Sequence, residues 1–178
     1  MKIYLLGFMG SGKSFLGQRL GKGLNIPFAD LDDLIEENAG MSISTIFETG
    51  GEPVFRQIEQ KSLHATATWD EAIISTGGGA PCFFDNMDWM NLHGLTIYLE
   101  TAPSLLAQRL QKEMAHRPLL AQLNPDELQA FIHQKIAERA AFYQKAKLIW
   151  KQDQKNEADW PILMQKIQAL LSGSSKNL

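Results

Sequence analysis

The stretch Gly7-Phe8-Met9-Gly10-Ser11-Gly12-Lys13-Ser14 decides how the rest of the chain is interpreted. It fits the pattern G-x-x-x-x-G-K-[S/T], follows the apolar run Ile3 to Leu6, and leads into a segment of helical period from Ser14 to Leu24. This order of strand, glycine loop and helix predicts a polyphosphate cradle, because backbone N–H groups and the helix dipole then face the phosphates. We expect Lys13 to reach the β- and γ-phosphate oxygens and Ser14 to offer its hydroxyl to Mg²⁺.

Beyond this motif, short apolar runs alternate with longer segments of helical period. Crossover units of this kind build a parallel sheet, so the sequence predicts an α/β fold with a P-loop NTPase-type parallel sheet of about five strands flanked by helices. Asn124-Pro125-Asp126-Glu127 combines a cap, a first-turn proline and two acids, which predicts the start of a long helix. The predicted strands lie near 3–6, 28–32, 73–74, 95–99 and 148–150, and the predicted helices near 14–24, 32–39, 55–68, 105–110, 124–143 and 160–171.

The chain length predicts one domain. With 178 residues, the chain can bury one substantial core but has little room for two. We expect a single P-loop domain over residues 1–173. The segment at about 111–123 lacks a clear period and is predicted to be a mobile lid, and residues 174–178 are predicted to be a frayed tail.

The composition excludes several classes of function. Apolar residues make up 44% of the chain, but no apolar run is long enough to cross a membrane. A formal net charge of −3 argues against general binding to nucleic acid, which requires a basic face. The one cysteine, Cys82, cannot form an intramolecular disulfide and shares no metal-ligand spacing with the histidines. We therefore expect a cytoplasmic protein with neither nucleic acid nor membrane as a partner. We also expect a monomer.

Two acids follow the first predicted helix, in Phe28-Ala29-Asp30-Leu31-Asp32. The end of a second parallel strand should open on the same crevice as the glycine loop, so both carboxylates would face the phosphates. Phosphoryl transfer uses one carboxylate near the metal and another that takes the proton of the acceptor hydroxyl. The structural alternative is that Asp32 or Asp33 caps an acidic helix, and the neighbouring phosphate loop favours the functional interpretation.

Three glycines, Gly77 to Gly79, come directly after the strand Ile73-Ile74. Glycines at the carboxyl end of a strand allow a close approach of backbone to a ligand, although a simple tight turn is also consistent with them. Arg56 is preceded by Gly51-Glu52-Pro53-Val54-Phe55 and followed three residues later by Glu59. Alone, that spacing more often indicates a surface ion pair than a ligand clamp.

Two more arginines lie in the second half of the chain. Arg117, in His116-Arg117-Pro118-Leu119-Leu120, falls in the predicted lid, where it could neutralise charge on a transferred phosphoryl group while the lid excludes water. An exposed loop arginine is the alternative. Arg139 lies within the long predicted helix, four residues before Tyr143.

The remaining sequence favours a kinase for a small acceptor. No N-K-x-D segment is present to bind guanine, and no strand ends in the D-x-x-G of switch proteins. Motor ATPases are usually longer. Two alternatives stay open: a gluconate-type or other metabolite kinase, and a non-catalytic nucleotide sensor that binds a protein partner.

The order of these motifs resembles the shikimate kinase family from Ile3 to about Tyr143. The family's phosphate loop is similar to Gly7–Ser14, and its D-x-D to Asp30 and Asp32. Further matches are G-E-x-x-F-R at Gly51, Glu52, Phe55 and Arg56, the triple glycine at Gly77–Gly79, R-P-L-L at Arg117–Leu120, and the helix arginine and aromatic at Arg139 and Tyr143. The resemblance weakens at residues 151–156, which contain no proline where the family's adenine loop is expected.

The resemblance implies transfer of the ATP γ-phosphoryl group to the 3-hydroxyl of shikimate, on the route to aromatic amino acids. It implies catalytic roles for Lys13, Asp32 and Arg117. It implies metal binding by Ser14 and, through water, Asp30, with Mg²⁺ as cofactor. The implied ATP-binding residues are Met9, Gly10, Ser11, Gly12, Lys13, Ser14, Phe15, Arg109, Arg117 and Gln154. The implied shikimate-binding residues are Asp32, Phe47, Phe55, Arg56, Gly77, Gly78, Gly79 and Arg139.

Overall fold

Five parallel strands form the centre of the computed structural model, which describes residues 1–112, 120, 123–152 and 159–174. The order across the sheet is β2-β3-β1-β4-β5, and every adjacent pair is parallel. This confirms the predicted α/β class. The strands are β1 (Lys2–Leu6), β2 (Phe28–Asp30), β3 (Ala72–Ser75), β4 (Leu95–Thr101) and β5 (Leu148–Gln152).

Helices connect the strands and cover both faces of the sheet. They are α1 (Lys13–Leu24), α2 (Leu31–Ala39), α3 (Ile43–Ala65), α4 (Asn86–His93), α5 (Pro103–Gln111), α6 (Pro125–Tyr143) and α7 (Asp159–Ser174). Short 3-10 turns follow α3 at Thr66–Thr68 and β3 at Ala80–Cys82.

Helix α3 begins earlier than predicted, at Ile43 rather than Phe55. The predicted helix began only after the glycines and Pro53, and the backbone does break there, since Gly51 adopts φ 67° and ψ −175°. Glycine takes a positive φ with little strain, and a proline fits the first turn of a resumed helix. Two helical segments therefore meet at Gly51, and the second carries Arg56.

Side chains that alternate along β1 pack into two separate cores. Tyr4 and Leu6 face one side of the sheet, together with residues of α2, α3 and α4, whereas Ile3 and Leu5 face the other side with residues of α1 and α7. Strands that are buried on both faces are the rule in parallel sheets. The central strand thus ends at Leu6 in fully buried surroundings, which holds the start of the glycine loop in place.

A third cluster of buried side chains supports the phosphate loop from the side. Phe8 packs with Leu106 and Leu110 of α5 and with Leu128 and Ile132 of α6. Asn124 caps α6 as predicted, since its side chain accepts hydrogen bonds from two backbone N–H groups and Glu127 completes a capping box. The predicted lid falls mainly on residues 113–119 and 121–122, and the predicted tail mainly on 175–178, both outside the described residues.

Candidate active site

The glycine loop forms the turn between β1 and α1. Gly10 and Gly12 have φ angles of 76° and 90°, a region that side chains with a Cβ rarely adopt. Lys13 begins α1, and its Nζ donates hydrogen bonds to the carbonyl oxygens of Gly7 at 2.9 Å and Phe8 at 3.1 Å. The ammonium group therefore lies over the loop, at the helix N-terminus where an anion is stabilised.

Ser14 and Asp30 are in direct contact. The hydroxyl of Ser14 donates to Asp30 Oδ2 at 2.8 Å, while Asp30 Oδ1 accepts from the backbone N–H of Asp32 at 3.1 Å. Asp30 is therefore the cap of α2. The alternative in which Asp32 or Asp33 caps this helix is wrong, because the strand ends at Asp30 and the helix begins one residue later.

Asp32 lies on the first turn of α2, and its side chain is directed into the crevice. Solvent reaches it from the crevice, yet protein surrounds it on the other sides. Burial raises the pKa of its carboxyl group above the ordinary value, and the nearby Asp30 raises it further, while Lys13 acts in the opposite direction. This carboxylate is thus a better proton acceptor than an exposed aspartate would be.

One cavity of about 620 Å³ connects these groups. It runs from Asp32 and the Gly77 turn, across the phosphate loop, to the first turn of α7. Of the residues predicted to bind ATP, metal or substrate, the cavity is lined by Met9, Gly10, Ser11, Gly12, Lys13, Ser14, Phe15, Asp30, Asp32, Gly77, Gly78 and Arg109. Residues that the sequence interpretation did not select also line it: Leu16, Arg19, Ser75, Thr76, Trp150, Lys151, Gln152, Asp159, Trp160 and Leu163.

Two arginines that are distant in the sequence approach the turn Gly77–Gly79. A Cβ added to Gly79 would lie 2.7 Å from an Arg56 Nη atom, and one added to Gly78 would lie 3.2 Å from Arg139 Nη1. Tyr143, at the end of α6, donates its hydroxyl to the carbonyl oxygen of Gly78 at 2.6 Å. The glycines are therefore required by close packing, and they place two guanidinium groups beside the cavity end that contains Asp32.

Two comparisons with known proteins identify the family. The profile of the family described as shikimate kinase matches residues 9–171. A curated shikimate kinase from Bacteroides thetaiotaomicron is 42% identical over 173 residues, which covers 96% of this chain and 98% of that protein. This chain belongs to the shikimate kinase family.

Solved structures of shikimate kinases have the same fold. The crystal structure of shikimate kinase from Bacteroides thetaiotaomicron has a TM-score of 0.88 and 40% sequence identity, and the match covers 97% of this chain and 98% of that chain. A shikimate kinase from Acinetobacter baumannii, solved in complex with shikimate, has a TM-score of 0.80 and 32% identity, with 99% and 95% coverage. Both matches cover nearly the whole of this chain.

Five of the residues predicted to bind the substrate do not line this cavity: Phe47, Phe55, Arg56, Gly79 and Arg139. Phe47 and Phe55 stack with their ring centroids 4.6 Å apart, and the guanidinium of Arg56 lies 4.9 Å from the Phe55 ring. The two phenylalanine rings lie beside Arg56, which packs against Gly79, and not at the phosphate loop. Arg109 donates to the carbonyl oxygen of Gly10 at 2.9 Å. Arg117 and Gln154 lie outside the described residues.

Arg56 does not form the surface ion pair that its spacing suggested. Its Nη1 donates to Glu59 Oε2 at 2.7 Å, and Glu59 is completely buried. Its Nη2 contacts the exposed Glu52 at 2.9 Å. Burial raises the pKa of the Glu59 carboxyl group, whereas the charge and hydrogen bond of Arg56 lower it. The pair is therefore an internal support for the guanidinium.

The sequence interpretation missed Glu59 as a functional residue. The other oxygen, Oε1, has no hydrogen-bond partner among the described residues, and a Cβ on Gly77 would lie 2.9 Å from it and 3.5 Å from Asp32 Oδ1. Helical spacing contained a usable signal, because Phe55, Glu59, Ser62 and Leu63 recur on one face and all are buried. A glutamate on a buried stripe requires a partner, and Arg56 is that partner.

We predict that Glu59→Gln raises the KM for shikimate about tenfold, with a smaller effect on kcat. The amide cannot hold the Arg56 guanidinium by a charge-assisted bond, and such a bond is worth about 1.5–3 kcal/mol. Steady-state kinetics at saturating ATP measures both constants. Glu52→Gln is the matched control, because Glu52 contacts the same arginine from an exposed position. Equal effects of the two substitutions would contradict a positioning role for Glu59.

Proposed function

We propose that this member of the shikimate kinase family transfers the γ-phosphoryl group of ATP to the 3-hydroxyl of shikimate, forming shikimate 3-phosphate and ADP. The observation that carries the proposal is the shared cavity: Lys13 and Asp32 line it together, and Arg56 and Arg139 meet at the glycine turn next to it. A cation that can bind phosphate, a carboxylate that can accept a proton and two guanidinium groups that can bind a carboxylate are thus adjacent.

The two arginines supply recognition of the acceptor. Guanidinium groups bind carboxylates through paired hydrogen bonds, so Arg56 and Arg139 suit the single carboxylate of an otherwise uncharged polyol. Arg56 is held by Glu59 and by the Phe83 ring, 4.0 Å away, while Arg139 lies 5.5 Å from the ring of Phe8 in the phosphate loop. These supports fix the substrate's carboxylate and thereby direct its hydroxyl groups towards Asp32.

Asp32 serves the proton transfer in this proposal. Its carboxylate accepts the proton of the 3-hydroxyl as that oxygen forms a bond to the γ-phosphorus and the bond from phosphorus to the bridging oxygen of ADP breaks. Lys13 compensates the negative charge on the β- and γ-phosphate oxygens. Arg117, assigned from its motif, is proposed to add a second positive charge from the lid.

The side chains at the phosphate loop fit a magnesium ion. The Ser14 hydroxyl and the Asp30 carboxylate are adjacent oxygen ligands at the cavity wall, and Ser75 Oγ lies 3.4 Å from Ser14 Oγ. Mg²⁺ bound to ATP keeps several waters and needs few protein ligands. We propose that Ser14 binds it directly and Asp30 through water. The ion neutralises phosphate charge when bound.

A coupled assay tests the proposed function. Purified protein with ATP and Mg²⁺ is expected to release ADP only when shikimate is added, and shikimate plus ADP is expected to raise the melting temperature. Gluconate and other carboxylated polyols serve as controls for the acceptor. ADP release that does not depend on shikimate, or that depends equally on gluconate, would reject the proposal.

As the pH is lowered, the rate is expected to fall at a higher pH than it would if the pKa of Asp32 were that of an ordinary aspartate. Asp32 must be ionised to accept the proton, and its pKa is raised by burial and by Asp30, so activity is present above that raised pKa and is lost as the pH falls through it. The measurement is kcat/KM for shikimate from about pH 4.5 to 8 at saturating Mg²⁺ and ATP, with melting temperatures recorded at each pH. A flat profile over this range would contradict the raised pKa.

We also propose that the protein is a monomer that acts in the cytoplasm, where ATP is available. None of the helices in the described parts of the chain is long and apolar enough to span a lipid bilayer. Light scattering coupled to size exclusion should give a mass near 19.9 kDa, and a mass near twice that value would reject the monomer.

A further inference from the structure

The carbonyl oxygens of the glycine turn, Gly77–Gly79, are all held by other groups of the protein. The carbonyls of Gly77 and Gly79 each accept from the backbone N–H three residues later, at 3.1 and 2.8 Å. Between them, the carbonyl of Gly78 accepts from the hydroxyl of Tyr143 at 2.6 Å. The first two bonds are local to the turn, whereas the third comes from α6, 65 residues further along the chain.

The N–H groups of the same turn have no such partners. Neither Gly78 nor Gly79 donates its N–H to an acceptor in the parts of the chain that the structure describes. Gly79 is buried, and roughly 90% or more of buried backbone N–H groups in proteins are hydrogen-bonded. The turn therefore offers N–H donors to a ligand, while its carbonyl groups are occupied by the protein.

The peptide between Gly78 and Gly79 connects these two observations. In a planar trans peptide, the C=O group and the following N–H group point in opposite directions. A hydroxyl that holds the Gly78 carbonyl on the side of α6 therefore turns the Gly79 N–H away from α6. Arg56 and Arg139 approach the same two glycines, so this N–H lies near the guanidinium groups that are proposed to bind the acceptor.

The phenol of Tyr143 is held firmly in place. Its side chain is completely buried, and its ring stacks on that of Tyr98 with the centroids 4.7 Å apart and an interplanar angle of 22°. Burial raises the pKa of the Tyr143 hydroxyl, so this group stays protonated at neutral pH and remains a donor. Tyr143 follows Arg139 by one helical turn, so α6 presents both side chains to Gly78.

We propose that Tyr143 is a positioning residue for the acceptor: its hydroxyl orients the Gly78–Gly79 peptide so that the Gly79 N–H donates to an oxygen of shikimate. Tyr143 does not line the cavity, so it acts through the turn and not by contact with the reacting groups. The inference rests on the proposed function, because it takes shikimate as the molecule bound at the glycine turn. It predicts weaker binding of the acceptor when the hydroxyl is lost, with phosphoryl transfer largely preserved.

Tyr143→Phe tests this role, because it removes the hydroxyl and keeps the ring that stacks on Tyr98. We expect the KM for shikimate to rise about 5- to 20-fold, in line with the loss of one hydrogen bond, while kcat stays within about threefold and the Kd for ADP within about twofold. Steady-state kinetics at saturating ATP and calorimetry with ADP measure these constants.

Tyr98→Phe is the matched control. It removes the hydroxyl of the other ring in the same stack, and Tyr98 makes no hydrogen bond to the glycine turn in the described structure. This substitution is expected to change each of the three constants by less than about twofold. A rise in KM that is equal in the two variants would show that the stack matters and the bond to Gly78 does not, and would overturn the proposal.

Nuclear magnetic resonance on the wild type gives a measurement that does not depend on how a variant folds. Selective labelling with ¹⁵N-glycine marks the 14 glycines of the chain. Saturating shikimate is expected to shift the Gly79 amide signal and to slow its hydrogen exchange by about tenfold or more, because the N–H then donates to the ligand. Gly94 is the internal control, since its N–H is already bonded to the Met90 carbonyl at 3.0 Å and it precedes β4, whose other end is at the cavity.

Three results would each overturn the positioning role: an unchanged KM for shikimate in Tyr143→Phe, a fall in kcat without a rise in KM, or a Gly79 amide that does not respond to shikimate. Release of ADP by the wild type judges the proposed function separately. If that release depends on shikimate, any of the three results rejects this inference alone, whereas release that is independent of shikimate would reject both.

Discussion

Asp32→Asn is expected to lower kcat by about 10²–10⁴-fold, the usual effect of removing a general base. The asparagine amide fills the same volume and still reaches the acceptor hydroxyl, but it cannot take its proton. ADP affinity and melting temperature should remain close to those of the wild type, because Asp32 lines the cavity and α2 is capped by Asp30. Coupled turnover, calorimetry with ADP and thermal melts measure the three quantities.

Asp33→Asn is the matched control for this prediction. Asp33 follows Asp32 on the same turn of α2, is exposed and does not line the cavity. Its substitution removes the same charge from the same helix end, so any general electrostatic effect on phosphate binding appears in both variants. If Asp32→Asn retained more than about a tenth of wild-type kcat, a proton-accepting role for Asp32 would be untenable.

Arg139→Ala is expected to raise the KM for shikimate by about 30- to 1000-fold while the Kd for ADP changes little. Truncating one partner of a desolvated charge pair costs roughly 2–4 kcal/mol, and each 1.4 kcal/mol is a factor of ten. Arg139 lies at Gly78, and its positive charge acts on the nearby Tyr143, whose hydroxyl donates to the Gly78 carbonyl oxygen. The substitution should therefore weaken binding of the acceptor and leave binding at the phosphate loop nearly unchanged.

Lys135→Ala, one turn earlier on α6, is the control for loss of a positive charge. Lys135 pairs with the exposed Glu138 at 2.7 Å and makes no contact with the glycine turn in the described structure. Arg139→Lys adds a finer distinction, because lysine keeps the charge but cannot form the paired hydrogen bonds of a guanidinium. A KM for shikimate that is unchanged in Arg139→Ala would remove Arg139 from the substrate site.

Much of the fold could be predicted from local patterns. The apolar runs identified all five strands, and the cap and proline at Asn124-Pro125 identified the start of α6, because these signals depend on residues a few positions apart. The same locality explains the error in α3. Gly50, Gly51 and Pro53 resemble a boundary in any short window, whereas the helix continues beyond them because Ile46 and Phe55 are buried against the same core.

Some parts of the candidate site could also be predicted from local sequence, and other parts could not. The phosphate loop could be located from its glycines, since the positive φ angles it requires restrict the residues that can occupy it. The spacing of Arg56 and Glu59 indicated an ion pair, but it was interpreted as a surface pair. Burial of Glu59 is what makes the pair a support for the guanidinium. The acid that caps α2 could not be identified from the sequence either, because it depends on the residue at which β2 ends.

Local sequence therefore established that this chain has a polyphosphate cradle between a buried strand and a helix, with acids and arginines in the order seen in the shikimate kinase family. Folding established which of these groups meet: the strand order β2-β3-β1-β4-β5 sets β3 next to β1 and brings Gly78 to Arg139, and α7 brings Trp160 onto Arg19. The reason is that backbone preferences act between neighbours in the chain, whereas desolvation and charge pairing depend on groups that only packing brings into contact.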